Sequence, residues 1–249
     1  MLRSRIIPCL LLHQGGLVKT RQFKESKYVG DPLNAVKIFN EKEVDELMFI
    51  DIDATVERRG PKMTLLRNLA IESRMPLCYG GGVGSAEQAV HIVSTGFEKV
   101  SVSSAALDRP TLIREMSEAI GAQSVVVTLD VKKNKLFSGY SIYSHNGKKK
   151  HNQSLLDFCQ EAVLFGAGEI VINSIDQDGQ MEGYDLDLAR QVRGAIDVPI
   201  TILGGAGKVD HMQELIDTVG TVGVGVGSFF VFKGPYRAVL INYSRPSRL

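Results

Sequence analysis

The sequence predicts an α/β fold, a (β/α)8 TIM barrel in which eight parallel strands close on themselves, as one domain over residues 1–249. Three observations predict it. The 249 residues suit one such barrel, which typically takes about 250. Short apolar runs alternate with longer amphipathic segments from end to end, the pattern of a parallel sheet with helical crossovers. The two halves of the chain also echo each other's glycine clusters, which points to two fused half-barrels.

The strand candidates cover residues 5–11, 47–51, 77–79, 99–102, 124–129, 169–172, 199–203 and 219–226. They are apolar on successive positions, as strands covered on both faces are. Helical patterns lie between them at 32–39, 63–71, 85–94, 108–119, 155–165, 185–194 and 209–217, with Asp31 placed to cap the first. An open doubly wound sheet would carry GxGxxG after its first strand. The run Gly15-Gly16-Leu17-Val18-Lys19 does not supply it. In the half-repeat, Gly80-Gly81-Gly82-Val83-Gly84 matches Gly204-Gly205-Ala206-Gly207, and Asp51-Ile52-Asp53-Ala54 loosely matches Ser174-Ile175-Asp176-Gln177. Leu11 at the end of strand one corresponds to Asp130 at the end of strand five.

Composition bounds the function. Apolar residues make up 44% and charged residues 23%, with a net charge of +1. This balance gives no electrostatic argument for nucleic acid or membrane as a partner. No apolar run approaches the roughly 20 residues that span a bilayer. The N-terminal stretch is broken by Pro8 and has no small-residue cleavage site, so it reads as a first strand in a cytoplasmic protein. Cys9, Cys78 and Cys159 are far apart and odd in number; they read as buried thiols. The histidines have no metal-ligand spacing. Neither a metal nor a cofactor is expected.

The glycine clusters sit where strands give way to helices. Glycine lets backbone N–H groups approach an anion, and the helix start behind adds unpaired donors. Gly204-Gly205 after strand seven and Gly227-Ser228 after strand eight occupy the usual phosphate position of such barrels. By the half-repeat, Gly81-Gly82 and Ser103-Ser104 form a second frame opposite. Acids at strand ends, Asp51, Asp53, Asp130, Asp176 and Asp178, line the mouth where barrel chemistry takes place. Asp130 is the candidate general acid/base.

Over nearly its whole length the sequence resembles the HisF family, the cyclase subunit of imidazole glycerol phosphate synthase. The matching stretches include Arg5-Ile6-Ile7-Pro8-Cys9-Leu10, Gly80-Gly81-Gly82, the run 125–130, Gly166-Ala167-Gly168-Glu169-Ile170, Ser174-Ile175-Asp176, Asp178-Gly179, Gly183-Tyr184-Asp185 and residues 204–208. The resemblance implies a barrel with two phosphate sites, to which Asp178 and Gly179 also contribute. It implies ammonia received from a HisH-like glutaminase docked on the N-terminal face. It further implies that Arg5, Glu46, Lys99 and Glu169 form a charged ammonia gate at that mouth. Gln123 matches a family position on the partner face.

One departure matters most. The family ends strand one in an aspartate that works with the strand-five aspartate as an acid/base pair; this chain has Leu11 there. The following loop reads His13-Gln14-Gly15-Gly16, and the strand-four rim has Ser103-Ser104 where the family has Asn-Thr. A retained gate with a lost acid resembles the HisF-like WbuZ type of surface-polysaccharide clusters. That resemblance implies ammonia delivery, with a sugar amidotransferase, that converts an acetamido group on a sugar to an acetamidino group. Two alternatives stand beside it. One is a true cyclase in histidine biosynthesis, with Asp53 or His13 replacing the missing acid. The other is a non-catalytic scaffold that activates a glutaminase.

Overall fold

The computed structural model describes residues 3–134 and 138–246. Eight parallel strands form the barrel: β1 (Arg5–His13), β2 (Leu47–Asp51), β3 (Leu77–Gly80), β4 (Lys99–Val102), β5 (Val125–Lys133), β6 (Glu169–Ser174), β7 (Ile200–Leu203) and β8 (Gly223–Val226). Each pairs with the next, and β8 pairs with β1, with Arg5 opposite Gly223 and Pro8 opposite Val226, so no edge is left open. The helices α1 (Pro32–Glu41), α2 (Met63–Glu72), α3 (Ala86–Ser94), α4 (Ser104–Asp108), α5 (Thr111–Ile120), α6 (Leu155–Leu164), α7 (Leu186–Ala195) and α8 (Val209–Val219) lie between them. Asp31 caps α1 as expected, its carboxylate accepting from Asn34 N. No helix among the described residues is long and apolar enough to cross a membrane.

Strand parity sorts the apolar residues into two layers. Side chains such as Ile6, Leu10, Phe49, Tyr79 and Val127 point outward and form the core beneath the helices. Ile7, Cys9, Met48, Cys78, Val126 and Val171 point inward and fill the barrel centre. The three cysteines are free and buried, and burial pushes the Cys9 and Cys159 thiols up to about 12. Inert apolar thiols are what the scattered spacing predicts.

The structure departs from the sequence expectations in three places. The helix expected over 108–119 starts only at Thr111, after Pro110, and a separate short helix, α4, precedes it over Ser104–Asp108; proline cannot donate to a helical ladder and sits at the start of α5. Val219 ends α8 instead of opening a strand; Gly220 at φ 76° stops the helix, and β8 begins at Gly223. Third, β1 and β5 overshoot the barrel rim and fold back as antiparallel ribbons. The ribbon after β1 contains Gly16–Arg21 and Lys24–Gly30; that after β5 contains Tyr140–Ser144 and Lys149–Ser154.

The half-repeat is present in backbone detail. Gly81 (φ 121°) and Gly204 (φ 101°) both turn where a Cβ would strike the previous strand's end, 2.5 Å from Asp51 O and 2.8 Å from Ser174 O respectively. The residues Asp51 and Ser174 are themselves partners in the sequence repeat. Ser103 (φ −134°, ψ −89°) and Gly227 (φ −104°, ψ −94°) share another uncommon geometry, each just before a short helical turn.

Candidate functional site

The N-terminal mouth is closed by four charged side chains from β1, the lead-in to β2, β4 and β6. Lys99 Nζ donates to Glu46 Oε2 and to Glu169 Oε2, each at 2.8 Å. Arg5 donates to Glu169 Oε1 at 2.8 Å and also to Glu46. Each cation therefore touches both anions, and the ring has no gap. Thr201 Oγ1 adds a further donor to Glu169. Both carboxylates are buried. Burial alone would raise Glu169, but Lys99 and Arg5 outweigh it and hold the carboxyl below its ordinary range. Burial likewise opposes the charge on Lys99 and Arg5, and the two glutamates overcome it, so both cations are held more firmly protonated. Gln123 is exposed on this same side, in the turn Ala122–Ser124 that precedes β5.

Above the ring comes the apolar interior layer, and above that the side chains of Ile50, Leu203 and Leu11. Ser101 and Thr128 share a hydrogen bond of 2.6 Å at this level. The interior then opens into a cavity of about 610 Å³ at the C-terminal mouth. Its wall includes Gly81, Gly82, Ser103, Ser104, Leu11 and Asp130. A cleft of about 40 Å³ lies beside it, walled by Asp178, Gly179, Gly204, Gly205, Gly227 and Ser228. Leu11, Phe23, Asn173 and Leu203 belong to both walls, so the two spaces adjoin. The glycine and serine frames, Asp51, Asp130, Asp178 and Leu11 thus fall on these two walls, whereas Asp53, Asp176 and His13, also named from sequence, line neither.

Asp130 sits at the rim end of β5, where Asn173 Nδ2 donates to its Oδ1 at 2.8 Å. Burial dominates, and the carboxyl is pushed up to about 7, against the lowering effect of that hydrogen bond. Asn173 Oδ1 is buried without a partner in the described structure. Asp130 is therefore a group that can hold or release a proton near neutral pH. Across the interior, Leu11 on β1 offers no proton.

The other acids at the rim have structural partners. Asp51 receives a two-pronged bond from Arg59, both contacts at 2.9 Å. Asp176 accepts from Lys133 N at 2.9 Å. Asp178 accepts from Thr20 Oγ1 at 2.7 Å and Phe23 N at 3.1 Å, tying the first ribbon to the β6 loop. Asp53 accepts from His13 Nδ1 at 2.7 Å and from Gln14 N at 2.8 Å. Despite burial, these two bonds hold Asp53 below its ordinary value. The cavity wall runs through Ile52 and Ala54, its neighbours, and neither Asp53 nor His13 lines it.

Three contributors escaped the sequence reading. Lys19 is buried and walls the smaller cleft; its Nζ donates to Cys9 O and lies 3.0 Å from where a Gly227 Cβ would be. Burial pushes its pKa down. Arg59 and Asn173 line the larger cavity. Lys19 stands in a run of consecutively buried residues, Leu17 to Thr20, without the polar–apolar alternation that would have marked its direction.

The sequence model of the histidine biosynthesis protein family matches residues 5–236. This chain belongs to the HisF family. A Leptospira borgpetersenii protein, named provisionally as imidazole glycerol phosphate synthase subunit HisF, is 51% identical over 243 residues, 98% of this chain and 96% of its own. A Vibrio vulnificus protein, named provisionally as subunit hisF3 of the same synthase, is 52% identical over 247 residues, 99% of this chain and 95% of its own. The imidazole glycerol phosphate synthase subunit HisF of Lysinibacillus sphaericus is 39% identical over 216 residues, 87% of this chain and 85% of its own. As a HisF-type barrel, the chain has a closed charged mouth at one end and a wide cavity at the other, with Asp130, whose carboxyl burial pushes up to about 7, on its wall.

Proposed function

We propose that this HisF-family chain is the barrel subunit of a glutamine amidotransferase, conducting ammonia from a HisH-like glutaminase to a phosphorylated acceptor at the C-terminal mouth. The observation that carries the reading is the ordered stack along the barrel axis: charged ring, apolar layer, cavity. An apolar interior resists ions, whose desolvation is costly, and lets a small neutral molecule through. The ring closes that route at rest, and a shift of one member opens it. At the far end, the paired turns at Gly81-Gly82 and Gly204-Gly205, with Ser104, Ser228 and Lys19 near them, supply donors suited to phosphate groups.

The acceptor chemistry differs from histidine-pathway cyclisation in this proposal, because Leu11 cannot share proton transfer with Asp130. We assign instead an acetamido group on a phosphorylated sugar, processed with a sugar amidotransferase. Ammonia nitrogen replaces the amide oxygen, which leaves as water. A second reading, cyclisation in histidine biosynthesis, is favoured by one observation: Asp130 keeps its place in a chain whose relatives carry the synthase name.

The test supplies the complex with glutamine labelled with ¹⁵N at the side-chain amide. One arm offers a phosphorylated acetamido sugar with the amidotransferase, the other the histidine-pathway intermediate. Label in an acetamidino product, and not in imidazole, is the expected result. Efficient imidazole formation would establish the second reading, and consumption of glutamine with label only in free ammonia would leave a scaffold.

A further inference from the structure

With Leu11 on its wall, the cavity around Asp130 receives no proton-transferring side chain from β1, yet one imidazole does reach it. His145 lines it together with Thr128, Asp130 and Asn173. It stands at the tip of the ribbon that continues β5, in which Tyr143 lies opposite Asp130. The tip thus folds back over the strand end that carries the acid. His145 and Asn146 both turn left-handed, at φ 55° and 56°, a region that residues with side chains seldom occupy. Asn146 Nδ2 fastens the tip across the mouth by donating to Ile52 O at 3.0 Å.

Behind His145 runs a short hydrogen-bonded chain. Its Nδ1 lies 2.9 Å from Ser144 Oγ, and Ser144 Oγ lies 2.8 Å from His151 Nε2. Ser144 and His151 are both buried. A hydroxyl between two imidazoles donates to one and accepts from the other, so the three groups can pass a proton along. With Nδ1 engaged, Nε2 is the nitrogen that His145 has left for a ligand.

We propose that His145 is a proton-transfer residue of this cavity, acting through Nε2, with Ser144 and His151 as the relay behind it. The proposal rests on the reading above that ammonia meets its acceptor here. Attack by ammonia leaves a protonated nitrogen that must lose a proton. His145 Nε2 takes that proton, Nδ1–H passes its own to Ser144 Oγ, and the Ser144 hydroxyl proton moves to His151 Nε2. His145 ends neutral and the positive charge ends on His151. Burial and Lys149 hold His151 below its ordinary value, so it waits neutral, while Asp108 favours the charged form. Lys149 and Asp108 pair with each other at 2.7 Å. Asp51, Arg58, Arg59, Asp108 and Asp130 are the charged groups that share the cavity with His145.

Sulfate, which does not titrate near neutral pH, serves as the probe. Ring ¹⁵N spectra of histidine-labelled chain are recorded with and without saturating sulfate. In the wild type, His145 and His151 are expected to change protonation or tautomer together. Ser144→Ala should leave the His145 response and abolish that of His151. His145→Gln should also abolish the His151 response, with the other histidine signals reporting an intact fold. In the ¹⁵N-glutamine assay, His145→Gln lowers transfer on the order of 10²-fold, the usual scale of a general acid/base, with glutamine consumption unchanged. Wild-type rings that ignore sulfate, or a His151 response that survives His145→Gln, would overturn the proposal. A complex that transfers no nitrogen while both rings respond as described removes the amidotransfer reading alone.

Discussion

The Asn173 amide donates to Asp130 at 2.8 Å, and it is the hydrogen bond that favours the charged form of an otherwise desolvated carboxyl. Burial wins, and Asp130 titrates at about 7 rather than 3.8. Over that interval the folded chain holds a proton that the unfolded chain has lost. Stability is therefore present in full at the acidic end, falls as pH rises toward 7, and levels off above it. Asp130→Asn should flatten this part of the profile, and Asn173→Ala should extend the fall to higher pH. Denaturant midpoints measured between pH 4 and 9 check both. A wild-type midpoint that rises across the interval in step with Asp130→Asn would show that Asp130 is not the group responsible.

Cyclisation of the histidine-pathway intermediate with free ammonium should be slow in the wild-type chain. The expected deficit relative to a HisF with both acids is on the order of 10²-fold or more. Leu11→Asp should recover part of it, since Leu11 and Asp130 face the same cavity. Steady-state rates of the two chains decide, and a wild-type rate equal to that of a two-acid HisF would refute the expectation.

Removing Lys99 opens the ring and leaves two buried carboxylates with one cation between them. Breaking a buried ion pair costs about 3–5 kcal/mol, so Lys99→Ala should lower the unfolding free energy by that order in denaturant titrations. In the complex, the same variant should uncouple the reactions: glutamine is still consumed, but less ¹⁵N reaches the acceptor. Ammonium at high pH should bypass the lesion. Equal coupling in wild type and variant would remove the gate from the mechanism.

Two glycines of the proposed strand seven–eight anion frame should respond differently to alanine. At Gly205 a Cβ would run into Gly183 O with φ at 111°, so Gly205→Ala should misfold or distort the frame. At Gly227, φ is −104° and the nearest atom is the end of Lys19. Gly227→Ala should therefore fold normally, displace Lys19 and weaken sulfate binding in the small cleft. Calorimetry of sulfate binding, beside a thermal melt, separates the two effects.

The barrel was legible because its signals are local: apolar runs, capping residues such as Asp31, and glycines at strand ends. The glycine frames were reached by their position at strand ends, and the ring residues through the family resemblance. The two ribbons were not legible. Gly16–Arg21 is nearly all buried and reads like part of a loop, while Lys24–Gly30 is mostly exposed and has no apolar stripe. Lys19, His145 and Asn146 owe their placement to those ribbons. Their roles depend on long-range folding back over the mouth, which no local pattern encodes.

The near-twofold rim has a consequence for ligand polarity. Gly81 and Gly204, and Ser103 and Gly227, present matched turns on opposite sides of one mouth. An elongated molecule with an anion at each end meets the same welcome whether it enters head first or tail first. Only what surrounds the turns breaks this degeneracy: Arg59 and an open cavity of about 610 Å³ on one side, Lys19 and a cleft of about 40 Å³ on the other. Under the proposed function, the duplicated backbone would grip and the unduplicated side chains would decide which end of the molecule lies beneath Asp130.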